Sequence, residues 1–215
     1  LHLVPDIVIW IPYGLTIISV FYHFKCWPLL LSFTFALAFY FQRVSILAII
    51  TCAVLLLLPT VAKQLSSRYQ FFIQSLGFLA ALALALHLVP GFDNFLVLNK
   101  VITGPESTPF TMYLNLDKPL MFFVLFLLMP SMLSPTKTLT SSPSKKVILL
   151  SSFLSLFVLA LSLKLVKLEW SFPDWWWIFA INNALFTCVA EEALFRGFLL
   201  NAFKTIIPNK TLSVP

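Results

Sequence analysis

Charge is what this 215-residue sequence has least of: 10% of its residues are Asp, Glu, Lys or Arg, against 60% hydrophobic. So little polar surface cannot clothe a core, which excludes a soluble domain. Acidic residues are scarcer than basic ones, 8 against 14. Lys and Arg nevertheless occur singly or in pairs, without a basic stripe interleaved with aromatics, so nucleic acid is excluded as a partner. Cys26, Cys52 and Cys188 lack CxxC spacing, which argues against a disulfide framework or a zinc knuckle and reads all three as small buried hydrophobes. The 5 glycines form no Gly-rich serine motif, and HExxH and GxGD are absent, so serine, zinc and aspartyl intramembrane chemistries have no support. No Lys or Arg precedes Lys25; the first apolar run lacks the basic flank of a signal peptide and is expected to stay as a membrane helix.

What the sequence has in quantity is long apolar runs without period-2 alternation. In lipid the backbone must satisfy its own hydrogen bonds, so such runs select helices over a barrel. The expected fold is all-α, a multi-pass bundle of about seven helices, over residues 7–22, 27–41, 44–61, 71–89, 119–133, 147–165 and 175–203. The second and fifth are short for spanning. Two loops are basic, one with Lys63 and Arg68 and one with Lys137, Lys145 and Lys146, whereas residues 90–118 carry Asp93, Glu106 and Asp117. The positive-inside rule puts the basic loops in the cytoplasm, the amino terminus and the 90–118 connection outside, and Arg196, Lys204 and Lys210 inside, with Arg43 as a weak contrary vote. Residues 134–146 read as a cytoplasmic linker between an amino-terminal helical region, 1–133, and a motif-bearing part, 147–215. The 90–118 connection reads as a lid or a mobile loop.

The last run holds Glu191, Glu192 and Arg196 within VAEEALFRGFLLNAF. An insertion scale prices a mid-membrane Asp, Lys or Arg at roughly 2.5–3.5 kcal/mol, so three ionisable groups in one turn and a half require a reason. One reason is that the span ends near Ala190 with Arg196 snorkelling; against it, GFLLNAF resumes the apolar pattern. On a helix Glu192 and Arg196 pair at i,i+4, while Glu191 points about 100° away and is expected to stay available. The outer Trp175–Trp177 belt sets Glu191 about 24 Å deeper, toward the cytoplasmic side. Asn182 and Asn183 are expected to bond between helices, and His87 to serve structurally at the outer face, across the membrane from Glu191.

EEALFRG, Glu191 to Gly197, resembles the EExxxR first motif, with its FRG ending, of the CAAX protease and bacteriocin-processing (Abi) family of intramembrane endopeptidases, also called type II CAAX prenyl endopeptidases. HLVPGFDN and YLNLDKP are similar to segments of a proteobacterial subgroup. The resemblance implies a multi-pass protein of a bacterial inner membrane that hydrolyses a peptide bond of a membrane-associated protein. It casts Glu191 as general base on water, Glu192 as second carboxylate and Arg196 as the charge that orders them. No cofactor is required on that reading, and a divalent metal stays open. The family's later FxxxH and HxxxN motifs do not occur in these 215 residues; the expectation is an incomplete catalytic domain that inserts into membranes and does not cleave peptides by itself. Two other classes compete: a transporter or ion-pathway subunit that uses the same charges, and a non-enzymatic scaffold or immunity protein.

Overall fold

The computed structural model describes residues 7–62, 64–105, 107–133, 143–168 and 171–206. Glu106 and most of the 134–146 linker lie outside them. The chain is predominantly helical: α1 (Ile7–Phe21), α2 (Trp27–Tyr40), α3 (Ile46–Ala62), α4 (Ser67–Ala85), α5 (Leu120–Leu128), α6 (Pro143–Ser162) and a long α7 (Trp176–Phe203). Among the described residues α7 is the one helix long and apolar enough to cross a membrane unaided; α1, α2, α3 and Lys146–Ser162 of α6 are apolar but shorter.

Four helices end in the same way without glycine. His23, Gln42, His87 and Lys164 take φ of 57°, 57°, 58° and 55°. In each case that residue and the next donate back into the last turn, as in His87 N to Leu84 O at 3.2 Å and Leu88 N to Ala83 O at 2.8 Å. This is the Schellman closure, ordinarily built on Gly. In a sequence so poor in glycine, L residues carry the left-handed position. The closure also explains why α4 stops at Ala85 although Leu86, Leu88 and Val89 prolong the apolar run.

The 90–118 connection carries regular structure. It forms an antiparallel ribbon of β1 (Phe95–Val101) and β2 (Phe110–Leu114), with Phe95 opposite Leu114 and Leu96 opposite Tyr113, and irregularities on either side of Leu98. Runs this short, FLVLNKV and FTMYL, do not distinguish strand from helix by apolar pattern. The base of the ribbon is clamped to the α2–α3 turn. Ser45 N donates to Gly91 O at 2.8 Å, Asp93 N to Arg43 O at 2.8 Å, and the Arg43 guanidinium bonds Asp93 at 2.7 Å while lying 5.0 Å from the Phe95 ring centroid. Arg43, read from sequence as a topology signal, is therefore a structural clamp. Gly91 sits at φ +94°, and a Cβ there would collide with the Ser45 side chain.

α5 is apolar on every side, LMFFVLFLL, a pattern suited to a protein interior or to lipid, and it takes the interior. Leu120 to Leu125 are at most 1% exposed, with α3, α4 and α7 packed round them. α1 closes the other flank of α7, where Trp10 and Tyr13 meet Phe186 at ring separations of 5.6 Å. α6 is exposed along nearly its whole length. Of the cysteines Cys52 is buried, whereas Cys26 and Cys188 are exposed; an apolar neighbourhood in sequence did not reveal which face each occupies.

Candidate active site

α7 is not a uniform α-helix. Asn182–Cys188 and Ala193–Leu199 make π-type bonds, and between them lies a single α-helical stretch, Val189–Glu192, that carries both glutamates. Interruptions of this kind re-aim side chains and gather at functional sites. Gly197, at the end of the FRG triplet, makes room for α5's continuation: a Cβ there would lie 2.7 Å from Met132 Cε.

The pair expected within the helix forms, with Arg196 Nη1 3.0 Å from Glu192 Oε1. Both side chains are more than half exposed, so the pair orders the turn more than it stabilises the fold. Glu191 is not left alone. Its Oε1 accepts a hydrogen bond from Lys118 Nζ at 2.9 Å, across 73 residues of sequence. Its Oε2 has no hydrogen-bond partner among the described residues.

Lys118 belongs to the elbow between β2 and α5, and the elbow is built on a buried carboxylate. Asp117, 1% exposed, accepts Asn94 Nδ2 at 3.1 Å and Lys118 N at 2.9 Å on Oδ1, and its Oδ2 lies 2.7 Å from His87 Nδ1. Asn94 Oδ1 in turn accepts Leu116 N at 2.9 Å, and the Tyr13 hydroxyl donates to Leu116 O at 2.8 Å. The amides of 116 and 118 and the carbonyl of 116 are all bonded, which a buried non-helical elbow demands.

This geometry corrects the expected placement of His87 and Lys118. Both were set at the outer face, far from Glu191, and the structure brings Lys118 to Glu191 and His87 to the adjoining Asp117. The reason is that β2 descends beside α7. The Phe110 ring stacks on Trp175 at 5.4 Å, Asn182 Nδ2 reaches Tyr113 O at 3.5 Å, and Lys118 meets Glu191. From Phe110 to Tyr113 the extended strand covers about 10 Å, and from Trp175 to Asn182 a helix covers about 10 Å; the two keep pace, and the elbow then carries Lys118 to Glu191. Asn183, by contrast, bonds Phe179 O of its own helix.

A cavity of about 590 Å³ opens on the Glu192 side of α7, lined by Phe122, Met132, Cys188, Glu192 and Arg196 among others. A larger groove of about 820 Å³ lies at the ribbon base beside Arg43 and Asp93, remote from the glutamates and shaped by the clamp. No three His, Cys, Asp or Glu side chains among the described residues converge as metal ligands. The sequence signal for Lys118 was faint: a lone Lys between an Asp and a Pro at the head of an apolar run.

Residues 173–214 match a family model described as Rce1-like, type II CAAX prenyl endopeptidase Rce1-like. That span contains the whole Glu191–Gly197 stretch, and the family is the one the stretch resembles. No curated protein and no solved structure matches the chain.

Proposed function

We propose, from the match of residues 173–214 to the type II CAAX prenyl endopeptidase model, that the chain carries the glutamate-bearing part of an intramembrane endopeptidase acting on a membrane-associated protein. The observation that carries the proposal is the position of Glu191. It stands about 23 Å from Trp176 and about 18 Å from Phe203 at helical rise, near the middle of the membrane-length helix, with one carboxylate oxygen paired and the other open. Carboxylates at that depth are costly enough to mark function.

Glu191 takes a proton from water, the hydroxide adds to the scissile carbonyl carbon, and collapse of the tetrahedral intermediate breaks the C–N bond as the proton passes to the leaving amine. Glu192 and Arg196 hold each other and keep their charges off that step. α1 to α4 and α6 accompany α7 in the bilayer of a bacterial inner membrane, with the amino terminus outside. The long exposed apolar face of α6 favours lipid over water. The substrate is cut from the cytoplasmic side.

The test supplies the chain with a segment bearing the FxxxH and HxxxN motifs and compares membrane proteomes of cells with Glu191 intact and cells with Glu191→Gln, scored for new protein termini. Termini that depend on Glu191 and fall by about 100-fold or more in the variant are expected. Identical termini in both would remove the protease reading. The line of ionisable groups His87, Asp117, Lys118 and Glu191 favours one second reading, a proton or ion pathway. It requires a Glu191-dependent flux in liposomes, which the protease reading does not.

A further inference from the structure

We infer that Lys118 is a positioning residue for Glu191: it holds Oε1 from an elbow tied to α1, α4 and β1, and so leaves Oε2 as the carboxylate oxygen open to water. The inference rests on the proposed role of Glu191 and adds the residue that sets its geometry.

Both ends of the Lys118–Glu191 ion pair are mounted on defined elements. An ordinary surface pair joins two flexible side chains, and its geometry is loose. Here Lys118 is 22% exposed against 48% for Glu191, and the root of Lys118 is fixed. Its amide is bonded by Asp117, Pro119 follows it and restricts its backbone, and Leu116, two residues earlier, is bonded on both its N–H and its carbonyl. Asp117 itself is held by Asn94 and His87. A buried polar network with its members satisfied is rigid. The effect is to deliver one ammonium to one point beside α7, from an element 73 residues away in sequence.

The other end is equally specific. Glu191 and Glu192 are neighbours on one helical stretch, yet each has its own cation: Lys118 from the elbow for Glu191, Arg196 from the same helix for Glu192. Two adjacent carboxylates are thereby kept on separate faces of α7, and Glu191 is the one whose cation comes from outside the helix. The titratable and charged groups near Glu191 are Lys118 and Asp117 from the elbow, His87 from the end of α4, and Cys188, Glu192 and Arg196 on α7 itself.

The test uses the full chain in membranes and a carbodiimide, which activates a carboxyl and joins it as an amide to an amine in contact with it. Cross-linked peptides are quantified by mass spectrometry, with tryptophan fluorescence reporting that each variant is folded. A Lys118–Glu191 amide is expected in the unaltered chain, in clear excess over Lys118–Glu192, because the ammonium and carboxylate stand 2.9 Å apart. Asn94→Ala, which removes a support of the elbow and leaves α7 untouched, should lower the yield several-fold. Equal joining of Lys118 to Glu191 and Glu192 would overturn the inference, as would an unchanged Lys118–Glu191 yield in folded Asn94→Ala. Because this readout needs no cleavage, a positive result beside Glu191-independent protein termini would sink the protease reading while leaving Lys118 in its role.

Discussion

Asp117 is the residue on which the site depends most. It is 1% exposed and meets Asn94, His87 and the Lys118 amide. Replacing it by Ala leaves those donors facing a buried void. The expected loss is about 1–3 kcal/mol, the cost of leaving buried donors without their acceptor, with Asp117→Asn less damaging because two of its contacts can be rebuilt. Thermal unfolding in detergent, followed by tryptophan fluorescence, measures both. Gly197 makes a second residue-scale case. Its missing Cβ leaves room for Met132, so Gly197→Ala should cost about 1 kcal/mol. Met132→Ala should recover part of that loss in the double variant, because a flexible side chain is the obstacle.

At the scale of elements, the glycine-free helix ends are a stored cost. A left-handed L residue costs about 1–2 kcal/mol relative to its preferred backbone, and Gly returns about 0.5–1 kcal/mol of that to unfolded-chain entropy. Gln42→Gly and Lys164→Gly, at two Schellman positions away from the site, should therefore each raise stability by a few tenths to about 1 kcal/mol. Gly91→Ala is expected to do the reverse, by about 1–3 kcal/mol, because φ there is +94° and Ser45 fills the space. An unchanged midpoint for Gln42→Gly would show that the closure carries no strain.

For the whole molecule, the arrangement in the membrane is open to direct measurement. In a background with Cys26, Cys52 and Cys188 replaced by Ser, Glu106→Cys should react with an impermeant thiol reagent in intact cells, and Lys145→Cys should not. The opposite pattern would invert the molecule and place the Phe203 end of α7 outside. The balance of basic loops is the physical ground for the expectation, and it is strengthened by Arg43. The one charge that voted the other way is bound to Asp93 and so is weak as a topology signal.

The sequence by itself determined whatever depends on near neighbours. Apolar runs set α1 and α2 close to their observed bounds, 7–22 against Ile7–Phe21 and 27–41 against Trp27–Tyr40, because a helix satisfies its own hydrogen bonds; α4 and α5 depart further, 71–89 against Ser67–Ala85 and 119–133 against Leu120–Leu128. The Glu192–Arg196 pair was legible for the same reason, since four residues on one helix fix its geometry. Tertiary structure decided the rest. That β2 runs beside α7 and that Lys118 reaches Glu191 depend on segments far apart in sequence, whereas the ribbon of residues 95–114 is a hairpin whose apolar runs are too short to tell strand from helix. Local periodicity holds no record of such partners: a strand of five residues and a single lysine acquire their meaning from the buried Asp117 network and the long helix against which they pack.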